Sequence, residues 1–213
     1  ESRLQEVAEV CRQYAGIDVT RESIPVAPSV HFFMGGLAVD HNHKTSIECL
    51  YAVGECASRY HGANRLGGNS LLAAIYSGKV AAKAIADTPI PDAVPDFSAY
   101  VLEQEQIMEK CLASQSRFSA VYIRHEIAKL MNDCLGITRT EEKLLEGIHS
   151  VDYYLTISDK LMYDSDVSAY VGYSLRPMLL LARAILTSAL ARKETRGAHI
   201  REDYPERSEE YDY

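Results

Sequence analysis

The sequence predicts an α/β plus all-α fold, with a short α/β segment followed by a helical bundle. Three observations point there. The brief apolar run LYAVG (residues 50–54) leads through a glycine-rich loop, HGANRLGG, into a helical pattern that starts at NSLL. A proline-rich stretch, TPIPDAVPDF (88–97), with three prolines in seven residues, reads as a linker. Beyond it only helical patterns occur.

Residues 1–16 read as the end of a helix, with Leu4, Val7, Val10, Cys11 and Tyr14 forming an approximate stripe and Gly16 at the stop. The following stretch, 16–36, is extended and punctuated by Pro25 and Pro28. GLAVD and TSIECL flank the polar turn HNHK and predict short strands. LYAVG has the look of a buried strand. In 69–87, Leu71, Leu72, Ile75, Tyr76, Val80, Ala84 and Ile85 recur at helical spacing, with Asn69 or Ser70 as the first-turn cap. After the linker, residues 98–134 carry long helical patterns. Thr138–Glu141 resembles a capping box opening a helix with Leu144, Leu145, Ile148, Val151 and Leu155 on one face. Pro177 suits the first turn of a final helix. The polar, acidic stretch HIREDYPERSEEYDY reads as a tail that is loose at its end.

Composition sets outer bounds. Hydrophobic content of 47% and charged content of 24% are ordinary for a globular chain. A net charge of −8 argues against a nucleic-acid partner, because the phosphate backbone would be repelled. No uninterrupted apolar run approaches the roughly eighteen residues that span a bilayer. The five cysteines (Cys11, Cys49, Cys56, Cys111 and Cys134) form no C-x-x-C pair. They read as reduced thiols of a cytoplasmic protein, with no metal or iron–sulfur site built by this chain. His41 and His43 form H-x-H in a turn, and an exposed hairpin turn explains them better than a metal does.

The loop carries the chemistry. A helix N-terminus offers unpaired amides and a positive dipole end, and glycines before it let another molecule approach the backbone. Amides of Ser70 and Leu71 would suit the electron-rich edge of an isoalloxazine ring. Glu55, at the C-terminal end of the LYAVG strand, is placed to bond ribityl or ribose hydroxyls. From composition alone, a tight connection between strand and helix is the more frequent explanation of the same glycines.

Three stretches lift that ambiguity. SVHFFMGGLAVD (29–40), LYAVGECASRYHGANRLGGNSLLAAIYSGKVAA (50–82) and ARKETRGAHIREDYPER (191–207) closely resemble the flavoprotein subunits of succinate dehydrogenases and fumarate reductases. The resemblance implies a partial FAD-binding (Rossmann-like) segment followed by a C-terminal helical bundle. It divides the chain into the end of the capping or substrate domain (1–33), the C-terminal part of the FAD-binding domain (34–88) and a helical C-terminal domain with a polar tail (97–213). It implies FAD as cofactor and hydride transfer between flavin N5 and a C4 dicarboxylate. His31 in H-x-x-MGG and Arg65 in HGANRLGG match the family's substrate ligands, and Glu55, Ser70 and Leu71 match its FAD contacts. Arg196, Gly197 and His199 match its RGAH stretch, for which a packing or positioning role against the FAD domain is expected. His61 is expected to order the loop.

The departures are as informative. The sequence has no G-x-G-x-x-G after a first strand and no histidine motif for covalent flavin attachment. Of the capping domain, which supplies the family's proton-shuttling arginine, only the last residues match. No catalytic acid or base is therefore assigned among these residues. Phe32 stands where the family commonly has Tyr. The chain looks like the C-terminal part of a larger flavoprotein, not expected to hold FAD tightly or turn over alone. The implied partners are a dicarboxylate substrate, the rest of the flavoprotein, an iron–sulfur subunit and a membrane anchor. The implied location is cytoplasmic, peripheral on the inner face of a membrane. Two alternatives stand beside this reading: an L-aspartate oxidase-like flavoenzyme, and a helical interaction module or split subunit without catalysis.

Overall fold

The computed structural model describes residues 5–89, 96–114, 116, 118–163 and 165–212, so residues 90–95 of the predicted linker lie outside the described residues. The chain divides into two compact units, Glu1–Phe33 and Met34–Tyr213.

In the first unit, helix α1 (Gln5–Val10) widens into a π-helical turn, Cys11–Ala15. It stops at Gly16, whose φ of 68° is the left-handed conformation that ends helices. The expected stripe forms but is not buried: Val7, Val10 and Tyr14 are all exposed. The remaining described residues of the unit, 17–33, form no helix or strand and turn once near Thr20.

The second unit opens with the region expected to hold strands, and the described residues contain none. Leu37 pairs with Ala57 in a parallel bridge and Lys44 with Tyr51 in an antiparallel one, each a single residue pair. A strand persists only along a continuous ladder. Here Gly35, Gly36, His43, Cys49 and Gly54 all have positive φ, which breaks the pleat before a ladder can extend.

Helix α2 (Asn69–Ala86) follows. It buries Ser77 and Ala81, whereas Leu71, Leu72, Ile75, Tyr76 and Ile85 of the expected apolar face are exposed. Helices α3 (Ser98–Leu112), α4 (Ala120–Leu135), α5 (Glu141–Ile157) and α6 (Asp166–Ala191) come next. Helix α6 packs on α4 and α5, which pack on each other, while α3 meets only α6 among the described helices. Leu144 and Val151 of α5 meet Ile123 and Ile127 of α4 and Leu175 and Leu186 of α6 in one core. Leu145, expected on the buried face of α5, is half exposed at 49%.

Two expectations about helices are corrected. The cap of α5 is Thr140, whose hydroxyl accepts from the Lys143 amide, rather than a Thr138–Glu141 box. Pro177 lies deep within α6, which begins much earlier, behind a Ser165–Ser168 capping box. An interior proline costs about 3 kcal/mol. Leu175 and Leu179, fully buried on either side of it, hold the helix through the break. By length and mean hydropathy (1.3), Ser168–Ala191 passes for a membrane span, although charged residues interrupt its apolar run. Its fully buried leucines face the core of the bundle.

The tail is also not loose. Arg201 is fully buried; its guanidinium donates to the carbonyls of Ala189, Leu190 and Arg192 at 3.0, 3.2 and 3.3 Å. These are carbonyls at the end of α6, so a side chain from the tail caps that helix. Asp203 pairs with the same guanidinium through both oxygens at 2.8 Å and accepts from the Glu141 amide. Glu194, also fully buried, binds Arg192, Arg196 and the Ser208 amide. The Tyr211 hydroxyl donates to the Ala191 carbonyl. These groups order the segment through Asp212.

Removing a leucine from the core leaves a cavity, so Leu179→Ala should cost about 2–5 kcal/mol in urea unfolding while Leu145→Ala stays below about 1 kcal/mol. Equal costs would contradict the assigned core. The Arg201 hydrogen bonds hold the Asp203 carboxyl at about 2, below its ordinary 3.8. A depressed carboxyl adds stability above the ordinary value and loses it as pH falls toward the folded one. The advantage of wild type over Asp203→Asn should therefore shrink between pH 4 and pH 2. Urea midpoints across that range test this, and a constant difference would refute it.

Candidate functional site

The site is built where the chain turns from Val53 into α2. The 3₁₀ turn Gly54–Cys56 carries Glu55 on the surface. The Gly54 amide donates to the Ser77 hydroxyl at 2.9 Å, and that buried hydroxyl donates to the Ala74 carbonyl. One serine thus ties the start of the loop to the helix that follows it.

The loop itself is made of turns. His61, at φ 77°, is a non-glycine residue in the left-handed region, which marks local strain. Its carbonyl accepts from the Asn64 amide, and that of Leu66 from the Asn69 amide. Neither Asn69 nor Ser70 caps the helix. The capping position is Gly68, at φ 82°, and no side chain there bonds the first-turn amides. The left-handed backbone favours glycine, which has no side chain to offer. The amides expected to meet a ligand, those of Ser70 and Leu71, lie in this first turn; Ser70 is half-buried and Leu71 exposed.

Arg65 is half-buried at the mouth of the helix, and its guanidinium donates to the Leu66 carbonyl at 3.2 Å. His31 is exposed on an extended stretch of the first unit. Beside the loop a cleft of about 350 Å³ is lined by Tyr60, His61, Asn69, Leu72, Ala73 and Tyr76. Uncapped amides, a carboxylate and a cation around one glycine-rich turn form a donor set that fits a flavin and an anionic partner.

One support of the loop was missed from sequence, and a second was expected from the family resemblance without its geometry. His43 is fully buried rather than exposed in a hairpin turn. Its Nδ1 donates to the Ala52 carbonyl at 3.0 Å, which leaves Nε2 to accept from the Tyr60 hydroxyl at 2.7 Å. Burial pushes the Tyr60 hydroxyl above its usual range and keeps it a donor. Asp40 builds the turn by accepting from the Asn42 and Lys44 amides. The turn residues were readable, but a bond spanning 17 positions left no local pattern.

The second support is the RGAH stretch. Arg196 and His199 exchange backbone hydrogen bonds at 2.8 and 3.0 Å, closing a tight turn over Gly197 and Ala198. The Ala198 amide then donates to the Ala63 carbonyl at 3.0 Å, two residues from Arg65.

Comparison with known proteins shows what the chain is similar to. Residues 1–71 match the FAD binding domain family, and residues 124–211 match the fumarate reductase flavoprotein C-terminal family. The fumarate reductase flavoprotein subunit of Haemophilus influenzae is 35% identical over 220 residues, covering 97% of this chain and 36% of the relative. The succinate dehydrogenase flavoprotein subunit of Rickettsia conorii is 37% identical over 232 residues, covering 98% and 38%. Among solved structures, Mycobacterium smegmatis Sdh1 in complex with UQ1 superposes with a TM-score of 0.85 at 27% identity, over 99% of this chain and 36% of that one. A quinol-fumarate reductase with menaquinol molecules gives 0.81 at 32% identity, over 98% and 38%.

Fold and loop together define a flavoprotein chain that carries part of an FAD site. The chain belongs to the succinate dehydrogenase and fumarate reductase flavoprotein family. It spans a little over a third of the length of these curated relatives.

Proposed function

We propose that this chain supplies the C-terminal part of an FAD-dependent oxidoreductase that interconverts succinate and fumarate. Its uncapped helix entrance, with a half-buried arginine at the mouth, carries the reading. FAD, when bound, supplies a hydride acceptor and donor at N5. The amides of Ser70 and Leu71 hold the electron-rich edge of its ring, and Glu55 holds its sugar hydroxyls. Arg65 pairs two-pronged with one substrate carboxylate, and His31 bonds the other and polarises the double bond. Contacts that twist a carboxylate out of conjugation act on the transition state as well as on binding.

On this reading residues 1–33 end the capping domain, 34–88 close the FAD-binding domain and 97–213 form the helical domain. The rest of the flavoprotein completes the FAD envelope and provides the proton-transferring group. An iron–sulfur subunit and a membrane anchor accept or deliver electrons, which places the assembly at the inner face of a membrane.

Two measurements test this. The 213-residue chain, mixed with FAD and desalted, should emerge colourless; a stable yellow complex contradicts the division of the site. In the FAD-loaded flavoprotein, Arg65→Lys should lower kcat/KM for succinate or fumarate by about 100-fold or more, because an ammonium cannot reproduce the two-pronged contact. An unchanged value, or turnover of aspartate in place of succinate, would overturn the assignment.

A further inference from the structure

The turn at Gly197 and Ala198 lies in the polar tail, far in sequence from the loop that carries Arg65, yet the two backbones touch. The Ala198 amide donates to the Ala63 carbonyl at 3.0 Å. The approach is close enough to exclude any side chain. A Cβ on Gly197 would lie 2.5 Å from the Ala63 oxygen, 2.7 Å from its carbonyl carbon and 3.0 Å from its Cβ. Gly197 also has a φ of 58°, so position and conformation both call for glycine.

The turn is mounted rigidly. Its two flanking residues bond each other through the backbone. The Arg196 guanidinium reaches buried Glu194 at 2.8 Å, the Ser208 carbonyl at 2.9 Å and Asp212 at 2.7 Å. The His199 ring is held on both nitrogens. Nδ1 accepts from Arg139 at 2.6 Å and Nε2 donates to the Arg192 carbonyl at 3.0 Å. Arg192 ends α6, and Arg139 lies between α4 and α5. The helical bundle therefore fixes the tip of this turn from several sides.

The loop on the other side of the contact is tied within itself by short-range backbone bonds, of Asn64 to His61 and Asn69 to Leu66. From this close approach and this mounting we infer that the Gly197–Ala198 turn is a positioning element for Arg65: a rigid stop, delivered by the helical domain, that sets where the loop holds its guanidinium. The inference rests on the dicarboxylate-binding reading of Arg65. It gives the helical domain a part in substrate recognition.

The test separates the contact from that reading. Backbone amide exchange on the unsubstituted chain should show the Ala198 amide protected at least about tenfold over an unstructured amide, although Ala198 is exposed. Gly197→Asn tolerates the left-handed backbone and retains the collision. It should speed exchange at Ala198 and across residues 61–66 while the amides of α4–α6 keep their rates. Gly16→Asn shares the backbone conformation but has open space around it, so it should leave 61–66 unchanged. In the FAD-loaded flavoprotein, Gly197→Asn should raise KM for succinate about tenfold with flavin content unaltered. An unprotected Ala198 amide refutes the contact whether or not the variant folds. Unchanged exchange at 61–66 in Gly197→Asn, or faster exchange there with an unchanged KM, refutes the positioning role. If Arg65→Lys leaves KM unchanged while Gly197→Asn still frees the loop, the substrate reading fails and the contact stands.

Discussion

A helix that begins without a side chain over its first amides leaves several donors and a positive dipole end for another molecule. The entrance to α2 is such a place, because Gly68 occupies the capping position in a backbone conformation that favours glycine. Much of the surrounding structure serves to hold this entrance. Ser77 ties Gly54 back onto the helix, and buried His43 fixes Tyr60 just before the loop. The strained backbone of His61 directly follows Tyr60.

The helical bundle is stabilised separately, by a leucine-rich core along α6 and by polar groups at its ends. Arg201 shows how the two combine. A fully buried guanidinium would be costly alone, but three helix-end carbonyls and both oxygens of Asp203 satisfy it. The same tail that caps α6 carries the turn that meets Ala63. Packing of the bundle and geometry of the loop are thus linked through one segment of backbone.

Much of this was legible in the sequence, to different depths. The order of loop and helix, the bundle and the Gly16 stop could be read because their signals are local: a glycine run, a 3.6-residue period, a helix-ending residue. The strands could not. Alternating apolar residues in GLAVD and TSIECL mark a propensity, while a strand is a property of its partners and of an unbroken pleat, and positive φ at His43 and Cys49 breaks that pleat. Pro177 was placed at a helix start by a rule that core packing overrides. The roles of His43 and Arg201 depend on contacts remote in sequence and left no local trace. Resemblance to a flavoprotein family singled out Arg65 and RGAH, but only coordinates explain why Gly197 has to be glycine.

On the proposed function, Arg65 and the amides entering α2 are shaped for a diacid lying on a flavin. An experimental structure of the FAD-loaded flavoprotein with a bound dicarboxylate tests it most directly. The account predicts a carboxylate of that ligand within about 3 Å of the Arg65 guanidinium, with the flavin edge on the Ser70 and Leu71 amides. A guanidinium still turned to the Leu66 carbonyl, with the acid bound elsewhere, would contradict it.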